Sequence, residues 1–160
     1  MNDVIIREAD INDVDVIFDF INQLALYEKA PEEVIATPST LKETLFNGTP
    51  QANVLIAEID KKPIGFAVYF YSYSTWLGKQ GIYLEDLFVP LESRGFGAGK
   101  ALLKRLAEIA VEKGCGRVEW SVLDWNQPAI DFYESFGAKP QDEWTVYRLT
   151  GDALNKFAKS

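Results

Sequence analysis

A chain of 160 residues, 48% apolar and 25% charged, has the composition of a soluble globular protein and a length that suits one domain, taken here as residues 1–160. Its net charge of −8 argues against nucleic acid, whose phosphates require clustered cations, and favours a cationic partner. With no histidine, Ser-His-Asp and Cys-His catalysis and histidine-bearing zinc sites are excluded, so any general base is a carboxylate, tyrosine, lysine or water.

In chain order, VIIREA (4–9) predicts a short strand. Asp10 or Asn12 then caps a helix whose Val14, Ile17, Phe18, Ile21, Leu24 and Ala25 recur at helical spacing, and Pro31 stops it. TLKETLF, after Ser39, predicts a shorter helix. NVLIAEI (53–59), PIGFAVYFYSY (63–73) and GIYLEDLFV (81–89) are rich in β-branched and aromatic residues and are separated by turn signals, which predicts an antiparallel meander. GAGKALLKRLAEIAVEKG is amphipathic, with Ala101, Leu102, Leu106, Ile109 and Ala110 on one stripe. RVEWSVL (117–123) reads as a strand, QPAIDFYESFG (127–137) as a helix, WTVYRL (144–149) as a strand and 152–158 as a closing helix. A strand–helix–strand passage inside an otherwise antiparallel sheet predicts an α/β fold, a mixed and mostly antiparallel sheet flanked by helices.

No apolar run approaches the ~18 residues of a spanning helix, so no membrane association is expected. The opening MNDVIIREAD carries acids where a secretory signal is basic. The lone Cys115 has no partner for an internal disulfide and no imidazole to activate it, which fits an inert turn residue and a cytoplasmic protein.

The chemistry concentrates in RGFGAG, residues 94–99, between a strand and a helix. Bare amides at a helix entrance bind an anion, glycines let the backbone approach it, and Arg94 and Lys100 add charge on either side. The dinucleotide fingerprint fails because Lys100 stands where its third glycine belongs. The nucleoside-triphosphate loop fails because Arg94 replaces its first glycine and Ala101 its hydroxyl.

A loop of the form R-G-x-G-x-G/A in this place resembles the pyrophosphate loop of the GNAT superfamily of acetyl-CoA-dependent N-acetyltransferases. LALYEKAPEEV (24–34), YSYSTWLGK (71–79), YLEDLFV (83–89), RGFGAGKALLKRLAEIA (94–110) and WNQPAIDFYESFGA (125–138) extend the likeness to the diamine (spermidine/spermine) and thialysine branch. The resemblance implies a GNAT fold, acetyl-CoA as cosubstrate with no metal, a small cationic amine as partner, and a homodimer. It implies that Leu87, Phe88 and Val89 pair with the pantetheine arm. Arg94, Gly95, Phe96, Gly97, Ala98, Gly99 and Lys100 would receive the diphosphate, with Asn126 capping the next helix and touching the coenzyme. Glu85 is implied as the base acting through water, and Tyr133 as the donor to the leaving thiolate. Tyr27, Glu28 and Glu143, with Glu85, would contact the acceptor. Asp86, alternating to the opposite face from Glu85, is either structural or a second carboxylate for the acceptor. Two further readings stay open: a non-catalytic acyl-CoA-binding module, and a peptide or protein-lysine acetyltransferase.

Overall fold

The computed structural model describes residues 3–160, and the chain divides into two compact units, one ending at Ser121 and the other running Val122–Ser160. The first holds β1 (Ile5–Glu8), α1 (Val14–Tyr27), α2 (Pro38–Leu45), β2 (Asn53–Ile59), β3 (Lys62–Ser74), β4 (Lys79–Phe88), α3 (Ala98–Glu112) and β5 (Val118–Trp120). The second holds α4 (Gln127–Glu134) and α5 (Gly151–Lys159).

The strands form one sheet in the order β1-β2-β3-β4-β5, antiparallel throughout except for the parallel β4–β5 pair, as the sequence predicts. Ile17 and Phe20 of α1 pack with Val54, Ile56, Phe66, Val68 and Phe88, which occupy one face of the sheet. The alternate positions Leu55, Ala67, Tyr69, Ile82 and Leu84 are buried on the other face, and α3 contributes the fully buried Leu102 and Leu106.

Local chemistry moves several boundaries. Asp10 caps a turn at Ile11–Asp13 rather than the helix itself, in a reciprocal capping box with Asp13. α2 begins at Pro38, two residues earlier than expected: Thr37 is its cap, and Pro38 suits the first helical position. α1 ends at Tyr27, ahead of Pro31, where Lys29 adopts φ +64°.

The expected strand at 144–149 does not form. A strand exists only as a pair, and the regular elements of Val122–Ser160 are helices alone. Val146 and Tyr147 are 81% and 92% exposed.

One polar cluster anchors β1. Arg7 donates to both Asp13 oxygens at 2.8 Å and its Nε lies 2.9 Å from Glu58, while Asp13 also accepts from the Asp10 amide. The bond from Arg7 holds the buried Asp13 carboxyl below its usual pKa. Asp13→Ala is expected to cost about 2 kcal/mol in urea unfolding, because it strands a half-buried guanidinium. A depressed carboxyl pKa also means that this stabilisation is present above the unfolded value of ~3.9 and is lost as pH falls through the folded one.

Candidate active site

The site is built around an irregularity in β4. Phe88 pairs with Phe66 and Asp86 with Val68, but the next pair is Leu84 with Tyr69, so Glu85 is an extra residue opposite the Val68–Tyr69 step. This bulge reverses the alternation. Ile82 and Leu84 lie on the α3 face, whereas Asp86 and Phe88 lie on the α1 face with Val68 and Phe66. Strict alternation therefore does not describe the Glu85–Asp86 step.

The pairing of β4 with its other neighbour ends at the same place. β4 pairs with β5 only from Ile82 and Val118 to Leu84 and Trp120. Beyond the bulge, Glu85–Phe88 is held through β3, so among the described residues β5 leaves this stretch of β4 without a continuing ladder. A peptide-like ligand can add to a strand edge of that kind. Gly65, which the sequence reading passed over, sets the position of this edge. A Cβ there would stand 2.9 Å from the Phe88 carbonyl oxygen and 2.9 Å from Val89 Cγ2.

Past Pro90 and a short turn at Leu91–Ser93, the chain enters the glycine loop. Gly95 and Gly97 have φ of +94° and +81°, conformations that side chains oppose by about 1–2 kcal/mol per residue. Gly97 is the N-cap of α3, with no side-chain cap bond, and its carbonyl accepts from Ala101. The amides of Ala98, Gly99 and Lys100 therefore precede the first helical hydrogen bond and have no carbonyl partner within α3, the arrangement at a helix start that suits an anion. Phe96, Gly97 and Lys100 are exposed and Ala98 is buried, so backbone and the Lys100 charge are presented rather than a packed turn.

Three acids and one cation meet at the end of α1. Burial pushes the half-buried Asp86 carboxyl up to about 6, and Glu85 and Glu28 add to the shift through their charge. Glu28, the C-cap of α1, is itself raised by desolvation. Tyr27, one residue earlier, lies under Arg94, whose Cζ is 5.3 Å from the ring centroid. Tyr27, Glu28, Glu85, Asp86 and Arg94 at the head of the glycine turn thus lie in one region, although they come from segments far apart in the sequence. Among the described residues, no group of three or more His, Cys, Asp or Glu side chains is disposed to hold a metal ion.

The remaining expected residues belong to Val122–Ser160. Asn126 is buried and caps α4 by accepting from the Ala129 amide at 3.4 Å, with Pro128 in the first turn. Tyr133 is half-buried, its ring 5.7 Å from that of Phe132 and 6.5 Å from that of Phe136. Glu143 is exposed, beside a turn that closes with Trp144 donating to Gln141.

A parallel pair that ends at Leu84 and Trp120, a strand bulged at a glutamate and a glycine turn opening a helix make up this site. The Acetyltransferase (GNAT) family profile matches residues 20–138, and the chain belongs to that family. It is an acetyltransferase. The thialysine N-epsilon-acetyltransferase of Bos taurus is 39% identical to it, over 97% of this chain and 97% of its own length. The L-ornithine N5-acetyltransferase NATA1 of Arabidopsis thaliana is 36% identical, over 96% of this chain and 87% of its own length. Among solved structures, an integron cassette protein from the mobile metagenome of V. cholerae superposes with a TM-score of 0.81 at 33% identity, over 98% of each chain.

Proposed function

We propose that the whole chain acts as one catalytic domain, transferring acetyl from acetyl-CoA to a primary amine of a small cationic acceptor. The acceptor is a thialysine- or ornithine-like amino acid, or a diamine. The observation that carries this reading is the acidic group at the bulge: Asp86 and Glu28, both with raised pKa, beside Glu85 at the mouth of the splayed strand.

The thioester supplies an activated acyl group, and the chain supplies placement, charge and proton traffic. Leu87, Phe88 and Val89 hold the pantetheine arm by main-chain bonding, and the amides of residues 95–100 hold the diphosphate, aided by Arg94 and Lys100. An alkylammonium with a pKa near ~10.4 is neutral in only ~1 in 10³ molecules at pH 7, so its proton must be removed in the site. A carboxylate beside it favours the ammonium and so opposes that removal. The roles are therefore divided. Glu28 and Asp86, with Glu143, hold the cation, and Glu85 takes the reacting nitrogen's proton through water. As the nitrogen–carbonyl bond forms and the carbon–sulfur bond breaks, the Tyr133 phenol donates to the departing thiolate. The match of Asn126 and Tyr133 to the family pattern supports their coenzyme-side roles.

The reading includes a homodimer. Its support is the resemblance to the diamine and thialysine branch of the family. Light scattering is expected to report twice the monomer mass. A cytoplasmic location rests on the lone Cys115.

The deciding experiment is an acceptor panel with acetyl-CoA, read as liberated thiol: thialysine, ornithine, lysine, spermidine and a lysine peptide. Turnover with a free amino acid or diamine is expected. Turnover confined to the peptide would overturn the acceptor class. Gly65→Ala should lower stability by about 1–3 kcal/mol and raise the acetyl-CoA Kd severalfold, because the Phe88–Val89 backbone must shift to admit the methyl group.

A further inference from the structure

The Arg94 side chain is held at two points. Its Nε donates to the Val89 carbonyl at 3.0 Å, and its guanidinium lies over the face of the Tyr27 ring, 5.3 Å from the centroid. Arg94 itself follows the Leu91–Ser93 turn, its amide donating to Leu91 at 3.2 Å. The last residue of α1 therefore meets the first residue of the glycine loop, which is also tied to Val89, just past the end of β4. Stacking through the ring face uses Tyr27's π cloud and leaves its hydroxyl out of the contact. With Nε committed to Val89, the two Nη groups carry the donors that remain for an anion at the turn.

We propose that Tyr27 is a positioning residue for the coenzyme, holding Arg94 through its ring face where the guanidinium meets the diphosphate. This rests on the coenzyme reading above, and it moves Tyr27's principal effect from the acceptor to acetyl-CoA. A flexible arginine at an exposed loop otherwise gives up rotamer freedom when it engages a phosphate. The Tyr27 face and the Val89 carbonyl remove part of that cost before the ligand arrives. The reach of an exposed cation–π contact limits the effect to ~2–5-fold in affinity.

The test is a double-mutant cycle on the acetyl-CoA Kd, measured by calorimetry with wild type, Tyr27→Phe, Tyr27→Leu, Arg94→Ala and Tyr27→Leu/Arg94→Ala. Tyr27→Phe should bind within about twofold of wild type, because the ring face survives. Tyr27→Leu should weaken binding ~2–5-fold with Arg94 present and have no further effect once Arg94 is alanine. Equal weakening in both backgrounds, or none in either, would overturn the proposal; so would a Tyr27→Phe variant as weak as Tyr27→Leu. Wild type that bound no acetyl-CoA would instead defeat the coenzyme reading itself, which keeps the two failures apart.

Discussion

Tyr133→Phe is expected to lower kcat about 100-fold while leaving the acetyl-CoA Kd within about twofold of wild type. The substitution removes one oxygen and keeps the ring, so the contacts with Phe132 and Phe136 survive and α4 retains its Asn126 cap. In the proposed mechanism, what is lost is the donor to the sulfur as charge develops there. A thiolate with a reference pKa near ~8.5 is a fair leaving group unaided, which holds the effect near the lower end of the ~10²–10⁴ range for general acid catalysis. Steady-state kinetics beside calorimetry separates the two quantities. A variant with unaltered kcat would remove Tyr133 from the chemistry.

Asp86→Asn should lower kcat/KM for the amine about 10–100-fold and, at the same time, make the protein more stable at pH 7. Both effects come from one shifted pKa. Burial and the neighbouring charges of Glu85 and Glu28 place Asp86 at about 6 in the fold, above the ordinary carboxylate value. The folded state therefore binds this proton more tightly than the unfolded one. Its contribution to stability is greatest below about pH 4 and declines as pH rises to the folded value. At pH 7 the ionised carboxylate is a burden of about 1–3 kcal/mol that asparagine does not carry. In the proposed site the cationic acceptor would relieve that burden on binding, turning a destabilising group into a recognition group. Activity of the wild type should fall as pH drops through about 6, and that limb should move or vanish in Asp86→Asn. A variant of unchanged stability and unchanged pH profile would contradict this account.

The parts of this site that local pattern encodes were readable in advance. The β-branched runs at 53–59 and 63–73 carry their own propensity, and the loop at 94–99 announces itself through glycines that must take positive φ, as Gly95 and Gly97 do. Asn126 before Pro128 reads directly as a cap. The features that escaped are those that only pairing creates. Nothing in YLED marks a bulge, because the extra residue is defined by its register against Val68 and Tyr69. Asp86's face, and so its burial beside Glu28, follows from that register. Gly65 looks like an ordinary weak point in a strand until the Phe88 carbonyl is seen against it. The 144–149 segment shows the opposite error: it has strand propensity, but among the described residues of its unit no strand pairs with it. The stacking of Arg94 on Tyr27 joins residues 67 positions apart, which no sequence window reaches.

The coenzyme half of the proposed function rests on the glycine turn and the open edge of β4, and titration calorimetry of acetyl-CoA into the protein interrogates both together. One site per chain is expected, with affinity reduced at least tenfold in Gly97→Val, where a branched side chain would have to adopt φ near +81° in the path of the diphosphate. Absence of binding by the wild type, or equal binding by Gly97→Val, would contradict it.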